Sequence, residues 1–288
     1  MTMPYFQCRD RKLDYSDRTL TMGVLNLTPD SFSDGGLWNS TDKAVQRALQ
    51  MRSEGADIID IGGESTRPGA QPVSEKEELR RVLPVVEALA GKANLVLSID
   101  TYKPNAARRC LEAGAHIVND ISGLRDPEMI KTAARYGAGV IVMHMQGSPG
   151  TMQRRPVYNG VVSEIIQFLK RQTERALRGG VPPESLMADP GIGFGKLPLR
   201  HNLKILRRLR RFKKELPYPL MIGTSRKSFL GHILDGAPPN ERLEGDAAAA
   251  AVAVSRGADA VRTHDVAFIA KTIRVADHIC KKRAAHAD

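Results

Sequence analysis

Short apolar runs alternate along the chain with longer stretches whose apolar positions recur at helical spacing. Eight runs end in polar residues that are candidates for function, at Asn26, Glu64, Asp100, Asn119 and Asp120, His144, Asp189, Ser225, and Arg262 and His264. Strands buried on both faces read as near-continuous Val, Ile and Leu, and their parallel pairing requires helical crossovers. The pattern predicts an α/β protein with a (β/α)8 barrel, whose active site forms at the carboxyl ends of the strands.

The same periodicities give approximate boundaries. Strands are predicted near 20–26, 57–62, 95–100, 116–119, 139–144, 185–189, 219–223 and 259–263. Helices are predicted near 41–54, 75–90, 104–113, between the fourth and fifth strands, up to about 178, after Lys227, and over the Ala-rich segment 246–257. The Ala-rich helix is expected to pack closely against the barrel and to carry no function. Thr41 is a candidate N-cap of the first helix. Residues 1–288 are predicted to form a single domain, with 1–18 as an N-terminal extension.

Composition excludes several classes of protein. No stretch of roughly 18 apolar residues occurs, so a transmembrane helix is not expected. The N-terminal segment is charged and lacks the apolar core of a signal peptide, which indicates a cytoplasmic protein. Cys8, Cys110 and Cys280 are far apart and form no CxxC pair. We therefore expect free thiols in a reducing compartment, with neither a disulfide framework nor a zinc site.

The formal net charge of +11 is compatible with nucleic acid, a membrane surface or anionic small substrates. Its densest part is the basic run 204–214, where Leu203, Leu206, Leu209 and Phe212 recur at roughly helical spacing. This amphipathic pattern predicts an outer barrel helix with a solvated basic face. Nucleic-acid binding is the alternative, although no binding motif or interleaved aromatic residue accompanies the run.

Three loops carry candidate chemistry. The first, NLTPDSFSDGG at 26–36, contains Phe32 and is typical of a lid or binding loop, with a plain surface connection as the alternative. The second, GGESTRPGAQPVS at 62–74, offers the Thr66 hydroxyl and the Arg67 guanidinium to an oxyanion. The third, GTSRKSFLG at 223–231, leads from a strand into a helix start and can bind anions. It lacks the glycine spacing of a Walker A loop.

Taken together, the motifs resemble those of the dihydropteroate synthase family, a group of pterin-binding barrels. They are GVLNLTPDSFSDGG, GADIIDIGGESTRP, IDTYKP, NDISG, MHMQG, DPGIGFGK, GTSRKS and RTHDV, in order over residues 20 to 275. The resemblance implies a transferase of folate biosynthesis that joins 6-hydroxymethyl-7,8-dihydropterin diphosphate to p-aminobenzoate. The products are 7,8-dihydropteroate and diphosphate. The resemblance also implies inhibition by sulfonamides and a homodimer.

Candidate pterin ligands follow from the shape of the ring. A pterin presents an amino group and a ring N–H side by side, and one in-plane carboxylate can accept from both. Asp189, at the end of the predicted sixth strand, is the best candidate, and the resemblance agrees. Asp100 and Asn119 would complete the set around the ring, and Lys227 would reach the ring carbonyl or N5. A structural ion pair or cap is the alternative for each residue alone, but convergence at one barrel mouth favours binding.

The leaving diphosphate requires cations and a metal, because it departs as a multiply charged anion. The predicted anion site consists of Arg67, Arg262 and His264, with help from Thr66 and Thr263. The resemblance implies that the amide oxygen of Asn26 helps to hold Mg2+ beside the diphosphate. Catalysis is assigned to Lys227, Arg262, His264 and Arg67, which would position the substrates and stabilise charge. A dissociative route without covalent catalysis is implied.

The second substrate is expected in a pocket formed by both halves of the barrel mouth. The predicted p-aminobenzoate ligands are Phe32, Pro68, Phe194, Lys227 and Ser228. Loops 27–37 and 64–74 hold little apolar content, so we expect diphosphate and Mg2+ to draw them over the mouth. The pterin diphosphate should therefore bind before p-aminobenzoate. No role is assigned to Tyr102, and His144 is left off the site because packing explains it equally well.

Two other functions remain open at this point. The nearer is a pterin-dependent methyltransferase on the same barrel, which would share the carboxylates at the pterin edge. Such an enzyme should lack the SFSDGG loop and the SRKS motif, and both are present here. The other is a binding or scaffold protein that acts through the basic run 204–214.

Overall fold

The computed structural model of the protein describes residues 4–28, 37–65, 69–92 and 94–280. Two short strands come first, β1 (Tyr5–Cys8) and β2 (Arg11–Asp14). Eight further strands follow: β3 (Leu20–Asn26), β4 (Ile58–Gly62), β5 (Val96–Asp100), β6 (Ile117–Asp120), β7 (Gly139–Met143), β8 (Leu186–Asp189), β9 (Met221–Ile222) and β10 (Ala260–Thr263). The helices are α1 (Leu37–Ser53), α2 (Glu75–Leu89), α3 (Pro104–Glu112), α4 (Pro127–Tyr136), α5 (Val161–Arg178), α6 (Leu203–Arg207), α7 (Leu209–Glu215), α8 (Ser228–Ile233), α9 (Leu243–Ser255) and α10 (Val266–Cys280).

The strands β3 to β10 form one parallel sheet that closes on itself. Their order is β8-β7-β6-β5-β4-β3-β10-β9, and every neighbouring pair in this order is parallel. A parallel bridge between Ala188 and Leu220 joins the two ends of the sheet. The predicted (β/α)8 barrel is therefore confirmed, with each observed strand starting and ending within about two residues of its predicted range. The apolar runs form strands because both of their faces are buried, one against the barrel interior and one against helices.

One helix boundary was predicted wrongly. Helix α1 begins at Leu37, so Thr41 lies inside the helix and is not its N-cap. A capping hydroxyl serves the amides of the first turn, and those belong to residues before Thr41. The Ala-rich helix α9 packs closely as predicted, since Ala250 and Val254 share a buried cluster with Val261 of β10 and Ile269 of α10.

The first two strands form an antiparallel hairpin that the sequence patterns did not predict. Phe6 and Cys8 are fully buried beneath the barrel, in contact with the strand starts. The apolar cluster that results includes Leu13, Tyr15, Leu20, Met22, Ile58, Val96, Ile117, Ile141, Met187, Met221 and Ala260. A Cβ at Gly139 would lie 2.7 Å from the Phe6 ring, so a glycine there allows the ring to enter. Most of the segment 1–18 is thus the closing layer of the barrel.

The basic run 204–214 lies on the flank of the barrel, as predicted. It forms two consecutive helices, α6 and α7, that meet at Arg208. Leu206, Leu209 and Phe212 are buried against the main core, whereas Arg207 and Arg210 are exposed. Cys8, Cys110 and Cys280 are free thiols, as predicted. Among the helices of the described ranges, none is long and apolar enough to cross a membrane.

Candidate active site

A cavity of about 290 Å³ opens at the carboxyl ends of the barrel strands. The residues that line it come from most of these ends and the loops that follow. They include Asn26, Thr28, Ser65, Asp100, Asn119, Ile121, Met143, Met152, Asp189, Phe194, Ser225, Lys227, Ser228, Arg262 and His264. The polar residues that end the apolar runs therefore converge as the barrel pattern predicts.

Three of the predicted pterin ligands share one side of the cavity. Asp100 and Asn119 pair across neighbouring strands, and Asp189 ends β8. All three are buried, and the Oδ1 atoms of Asp100 and Asn119 have no hydrogen-bond partner within the described structure. Oδ1 of Asp189 accepts the Gly191 N–H at 2.7 Å, which fixes the carboxylate plane. Unsatisfied buried acceptors are rare in native proteins, so these oxygens are ready to receive ligand donors.

Asp60 is a central residue of the site that sequence reasoning missed. It lies within β4, is fully buried, and its Oδ2 accepts from Arg262 Nε at 2.6 Å and from Asn119 Nδ2 at 2.9 Å. Arg262 also donates through Nη2 to Asp100 Oδ2 at 2.8 Å. The available signal was a carboxylate inside an otherwise apolar strand, which requires a charged partner elsewhere in the chain. Arg262 is thus held between the carboxylates of Asp60 and Asp100.

The crowding of buried charges shifts several protonation equilibria. Burial raises the pKa of Asp100 to about 7, opposed by Arg262 and reinforced by Asp60. Burial also raises the pKa of Asp189, with the Gly191 N–H and Lys227 acting in the other direction. The pKa of Lys227 falls to about 8, because burial and the neighbouring Arg262 disfavour its ammonium form. Clustered shifts of this kind in a cleft are typical of functional sites.

The loop after β8 brings Phe194 and Lys227 together. Nζ of Lys227 lies 4.1 Å from the centre of the Phe194 ring, a cation–π contact. Both residues and Ser228 line the cavity, so three predicted p-aminobenzoate ligands lie together. Ser228 is the first residue of α8, where backbone amides point outward and suit a carboxylate.

Lys196 holds this loop from behind and was not predicted. Its buried ammonium donates to the backbone carbonyls of His144 and Phe194 at 3.2 and 2.9 Å and lies 3.1 Å from His144 Nδ1. Burial lowers the pKa of Lys196 to about 7 and that of His144 to about 2. The His144 ring packs edge-on against Phe168, with centroids 4.9 Å apart. His144 therefore packs against Phe168 and helps to position Lys196, which is consistent with its absence from the predicted site residues.

His264 and Asn26, two of the residues predicted to bind the diphosphate, also line the cavity. His264 follows β10, and its Nδ1 lies 3.1 Å from Ser225 Oγ, while its Nε2 lies 3.5 Å from Asn26 Nδ2. Asn26, Ser225 and His264 all line the cavity. Thr263 is fully buried, is not among the lining residues, and bonds to Ser225 and Asp246 through its hydroxyl. A strand residue next to Arg262 points to the opposite face, so this hydroxyl is directed away from the cavity. Help from Thr263 at the diphosphate, through its hydroxyl or its amide, stays a prediction.

Four predicted site residues, Phe32, Thr66, Arg67 and Pro68, lie outside the described residues, so their roles stay predictions. The base of the second loop is described and contains a buried ion pair. Lys103 Nζ bridges Glu64 and Glu78, and the Tyr102 hydroxyl donates to Glu64 Oε1 at 2.9 Å. Glu64, one of the polar residues that end the eight apolar runs, thus stabilises the structure at the edge of the site.

Asn26 offers one amide oxygen, Oδ1, which lies 3.6 Å from the place that a Cβ on Gly62 would take, while Asp100 Oδ2 accepts from Arg262 at 2.8 Å. Mg2+ prefers oxygen ligands, keeps several waters and takes further oxygens from substrate phosphates. Within the described ranges, no cluster of three or more His, Cys, Asp or Glu side chains could hold a metal.

Comparisons with known proteins agree with this geometry. A family model described as "pterin binding enzyme" matches residues 22–264. A dihydropteroate synthase of Synechocystis sp. is 48% identical over 265 residues, which cover 92% of this chain and 91% of the relative. The crystal structure of Yersinia pestis dihydropteroate synthase with a sulfonamide drug has a TM-score of 0.89 and 44% identity, covering 96% of this chain and 98% of that chain.

Xanthomonas albilineans dihydropteroate synthase with 4-aminobenzoic acid gives the same TM-score of 0.89 at 41% identity, again with 96% of this chain and 98% of that chain covered. These matches extend over nearly the whole length of this chain and of each relative. The chain therefore belongs to the pterin-binding enzyme family and, within it, to the dihydropteroate synthases.

Proposed function

We propose that this chain joins 6-hydroxymethyl-7,8-dihydropterin diphosphate to p-aminobenzoate, forming 7,8-dihydropteroate and releasing diphosphate. The observation that carries the proposal is the set of buried acceptors on one wall of the cavity. Asp100 Oδ1 and Asn119 Oδ1 are unpartnered within the described structure, and Asp189 lies beside them with its carboxylate fixed. A dihydropterin supplies N–H donors around its ring, which would satisfy these acceptors. The family match favours the synthase over the methyltransferase alternative.

The arrangement supports a dissociative substitution at the methylene carbon. The C–O bond to diphosphate breaks and its electron pair leaves with the diphosphate, while the positive charge spreads into the dihydropterin. The arylamine nitrogen then attacks the methylene carbon and loses a proton. Asp100 and Asp189 lie on the pterin side, where buried carboxylates stabilise a developing cation. No covalent intermediate with the protein is needed, because positioning and charge stabilisation suffice.

His264, Asn26 and Arg67 are proposed to receive the diphosphate. His264 and Asn26 line the cavity, with His264 Nε2 3.5 Å from Asn26 Nδ2, and Arg67 follows the described start of the second loop. Mg2+ bound at Asn26 Oδ1 would supply charge neutralisation for the leaving diphosphate. Arg262 would act at the boundary between the pterin and the diphosphate, since its guanidinium already pairs with Asp60 and Asp100.

Phe194, Lys227 and Ser228 are proposed to hold p-aminobenzoate, with sulfonamides as competitors for the same place. The ammonium of Lys227 and the first amides of α8 suit the carboxylate of the substrate. Phe32 and Pro68 would complete the pocket when loops 27–37 and 64–74 close. Calorimetry of a sulfonamide should therefore show tight binding with Mg2+, pterin and diphosphate present and weak binding alone. Equal affinity in both conditions would contradict an induced pocket.

The reaction itself is tested by measuring dihydropteroate formation by the purified protein, with Asp189→Asn and Asp259→Asn as matched variants. Asp189 accepts a backbone amide inside the site, whereas Asp259 accepts the Leu220 N–H at 2.8 Å at the other end of the barrel. Asp189→Asn places an amide donor against a pterin donor, which should cost about 1–3 kcal/mol of pterin binding. Asp259→Asn should keep the wild-type pterin affinity. A wild-type protein without activity, or Asp189→Asn with near-normal pterin affinity, would refute the assignment.

A homodimer is proposed through the outer face of α9 and α10. Phe268, Val275 and Ile279 of α10 are exposed, and Val252 of α9 lies beside them in one apolar groove. Contiguous apolar patches on a soluble protein mark association surfaces. Phe268→Glu should convert the dimer into a monomer in sedimentation, while Val157→Glu, at an exposed valine elsewhere, should not. An unchanged sedimentation coefficient in Phe268→Glu would exclude this face.

We also propose a cytoplasmic location, because free thiols such as Cys8 and Cys110 suit a reducing compartment.

A further inference from the structure

An acidic residue on an outer helix reaches beneath the anion side of the cavity. Asp246 lies in the first turn of α9 and is 2% exposed. Its Oδ1 accepts from the Thr224 hydroxyl at 2.7 Å, and its Oδ2 lies 3.4 Å from the Thr263 hydroxyl. Burial raises the pKa of Asp246, and the hydroxyls of Thr224, Ser225 and Thr263 oppose that rise. Burying a carboxylate costs free energy even where hydroxyl groups donate to it. The contacts of these hydroxyl groups indicate what Asp246 does.

Ser225 connects this carboxylate to the cavity. Its Oγ accepts the backbone N–H of His264 at 3.2 Å and lies 3.1 Å from His264 Nδ1. On the other side of the ring, His264 Nε2 lies 3.5 Å from Asn26 Nδ2. The Thr263 hydroxyl lies 3.4 Å from both Asp246 Oδ2 and Ser225 Oγ and links the two residues, so a chain of polar contacts runs from Asp246 to Ser225, His264 and Asn26. The last three of these residues line the cavity, and Asp246 is buried behind them.

The direction of the hydrogen bonds follows from the carboxylate. Asp246 accepts the Thr224 hydroxyl at 2.7 Å and lies among the hydroxyls of Ser225 and Thr263. In its ionised form a carboxylate only accepts, so that form draws the hydroxyl hydrogen of Ser225 toward Asp246. The Ser225 oxygen is then left to accept from His264, which places the ring proton on Nδ1. Nε2 then carries the lone pair of the ring and accepts from Asn26 Nδ2. With its amide nitrogen turned to the ring, Asn26 keeps Oδ1 on the side of Gly62.

We propose that Asp246 is a positioning residue for the diphosphate site, which fixes the tautomer and orientation of His264 through Ser225. It touches no substrate, and its effect reaches the ligand through the His264 ring and the Asn26 amide. The same logic applies to histidines that bind metals, where a carboxylate or carbonyl partner on one nitrogen sets what the other nitrogen does. The identity of the ligand rests on the proposed function, whereas the state of the His264 ring does not.

The test compares Asp246→Asn with Asp277→Asn. Asp277 is a matched control, since it is also buried and accepts the hydroxyl and backbone N–H of Thr19, each at 2.7 Å, at the opposite end of the barrel. Nitrogen-15 NMR of the histidine rings reports the tautomer directly, and the spectrum of His264→Ala assigns the His264 signal. We expect Nδ1–H in the wild type and in Asp277→Asn, and a loss of that preference in Asp246→Asn.

Binding is measured by calorimetry with Mg2+ and inorganic diphosphate, and separately with 6-hydroxymethyl-7,8-dihydropterin, which has no phosphate. Asp246→Asn should weaken diphosphate binding about tenfold or more and change the affinity for the pterin alcohol less than about twofold. Thr263→Val provides a second variant if Asp246→Asn does not fold, because it removes one hydroxyl that links the carboxylate to Ser225.

An unchanged His264 tautomer in Asp246→Asn, or equal losses for diphosphate and for the pterin alcohol, would overturn the proposal. Failure of the wild-type protein to form dihydropteroate would instead refute the proposed function. It would leave the tautomer measurement intact, so the two failures are distinguishable.

Discussion

The two ends of the barrel differ in the polarity of their residues. At the amino end of the strands, Phe6 and Cys8 of the hairpin close an apolar layer against Leu20 and Met22. At the carboxyl end, Asp100, Asp189, Arg262 and Lys227 line one cavity, and the buried Asp60 pairs with Arg262 behind it. The first end buries apolar surface, which stabilises the fold. The second end keeps charges and unpartnered acceptors out of water, which costs stability.

The contrast indicates that stability and chemistry are separated along the barrel axis. Barrel enzymes place their catalytic residues at the carboxyl face, and residues at the opposite face contribute to stability. The hairpin therefore compensates for a site whose residues are selected for binding. Changes at one end should move one property and leave the other in place, and the following predictions test that separation.

The largest effect is expected at the hairpin. Phe6→Ala removes a fully buried ring from the closing layer, and such truncations cost about 3–5 kcal/mol of unfolding free energy. The ratio kcat/KM per folded molecule should stay at the wild-type value, because the ring lies at the end opposite the cavity. Tyr5→Ala, on the other face of β1 and only half-buried, is the control and should cost less. Urea denaturation and steady-state kinetics measure the two quantities. A loss of kcat/KM that matches the loss of stability would break the comparison.

A smaller and opposite effect on stability is expected at Lys227. The pKa of Lys227 is lowered from 10.5 to about 8, so the charged form is disfavoured in the folded state. Below about pH 8 the residue is charged in both states and the full penalty is present. Above pH 8 the folded protein releases the proton first, and the penalty disappears as the pH approaches 10.5.

Lys227→Met should therefore stabilise the fold by about 1–3 kcal/mol at pH 7 and by less at pH 9.5, while abolishing activity. Unfolding free energies at the two pH values give the comparison. Lys214→Met, at an exposed position of α7, is the control and should show no pH-dependent gain. A gain that grows with pH would mean that the sign of the Lys227 contribution is wrong.

The smallest effect is expected on the basic flank. Arg207→Gln, Arg208→Gln and Lys214→Gln together remove three exposed charges from α6 and α7. Surface substitutions of this kind change stability by at most about 0.5 kcal/mol each, and turnover should be unchanged. A large fall in turnover without unfolding, or specific DNA binding lost in this variant, would show that the basic run has a function of its own.

The sequence predicts the polar ends of the strands, but it does not predict the buried partners of the site or the hairpin. The strand ends were predictable because a polar residue that terminates a buried run stands out, as at Asp100 and Asp189. Asp60 was not, since it lies inside a run and its partner Arg262 is 202 positions away. Asp246 was hidden at the start of an Ala-rich helix that was interpreted as packing alone. The hairpin was missed because strands of four residues with charged neighbours show too little alternation.

The separation of the two ends is tested most directly by a double-mutant cycle across the barrel. Phe6→Ala, Lys227→Met and the double variant would be unfolded in urea at pH 7, and the free energies of unfolding compared with the wild type. Distant sites without shared partners are additive within about 0.5 kcal/mol. We predict that the changes in unfolding free energy are additive, so that Lys227→Met restores part of the unfolding free energy lost in Phe6→Ala. A coupling free energy above about 1 kcal/mol, well outside that range, would contradict it.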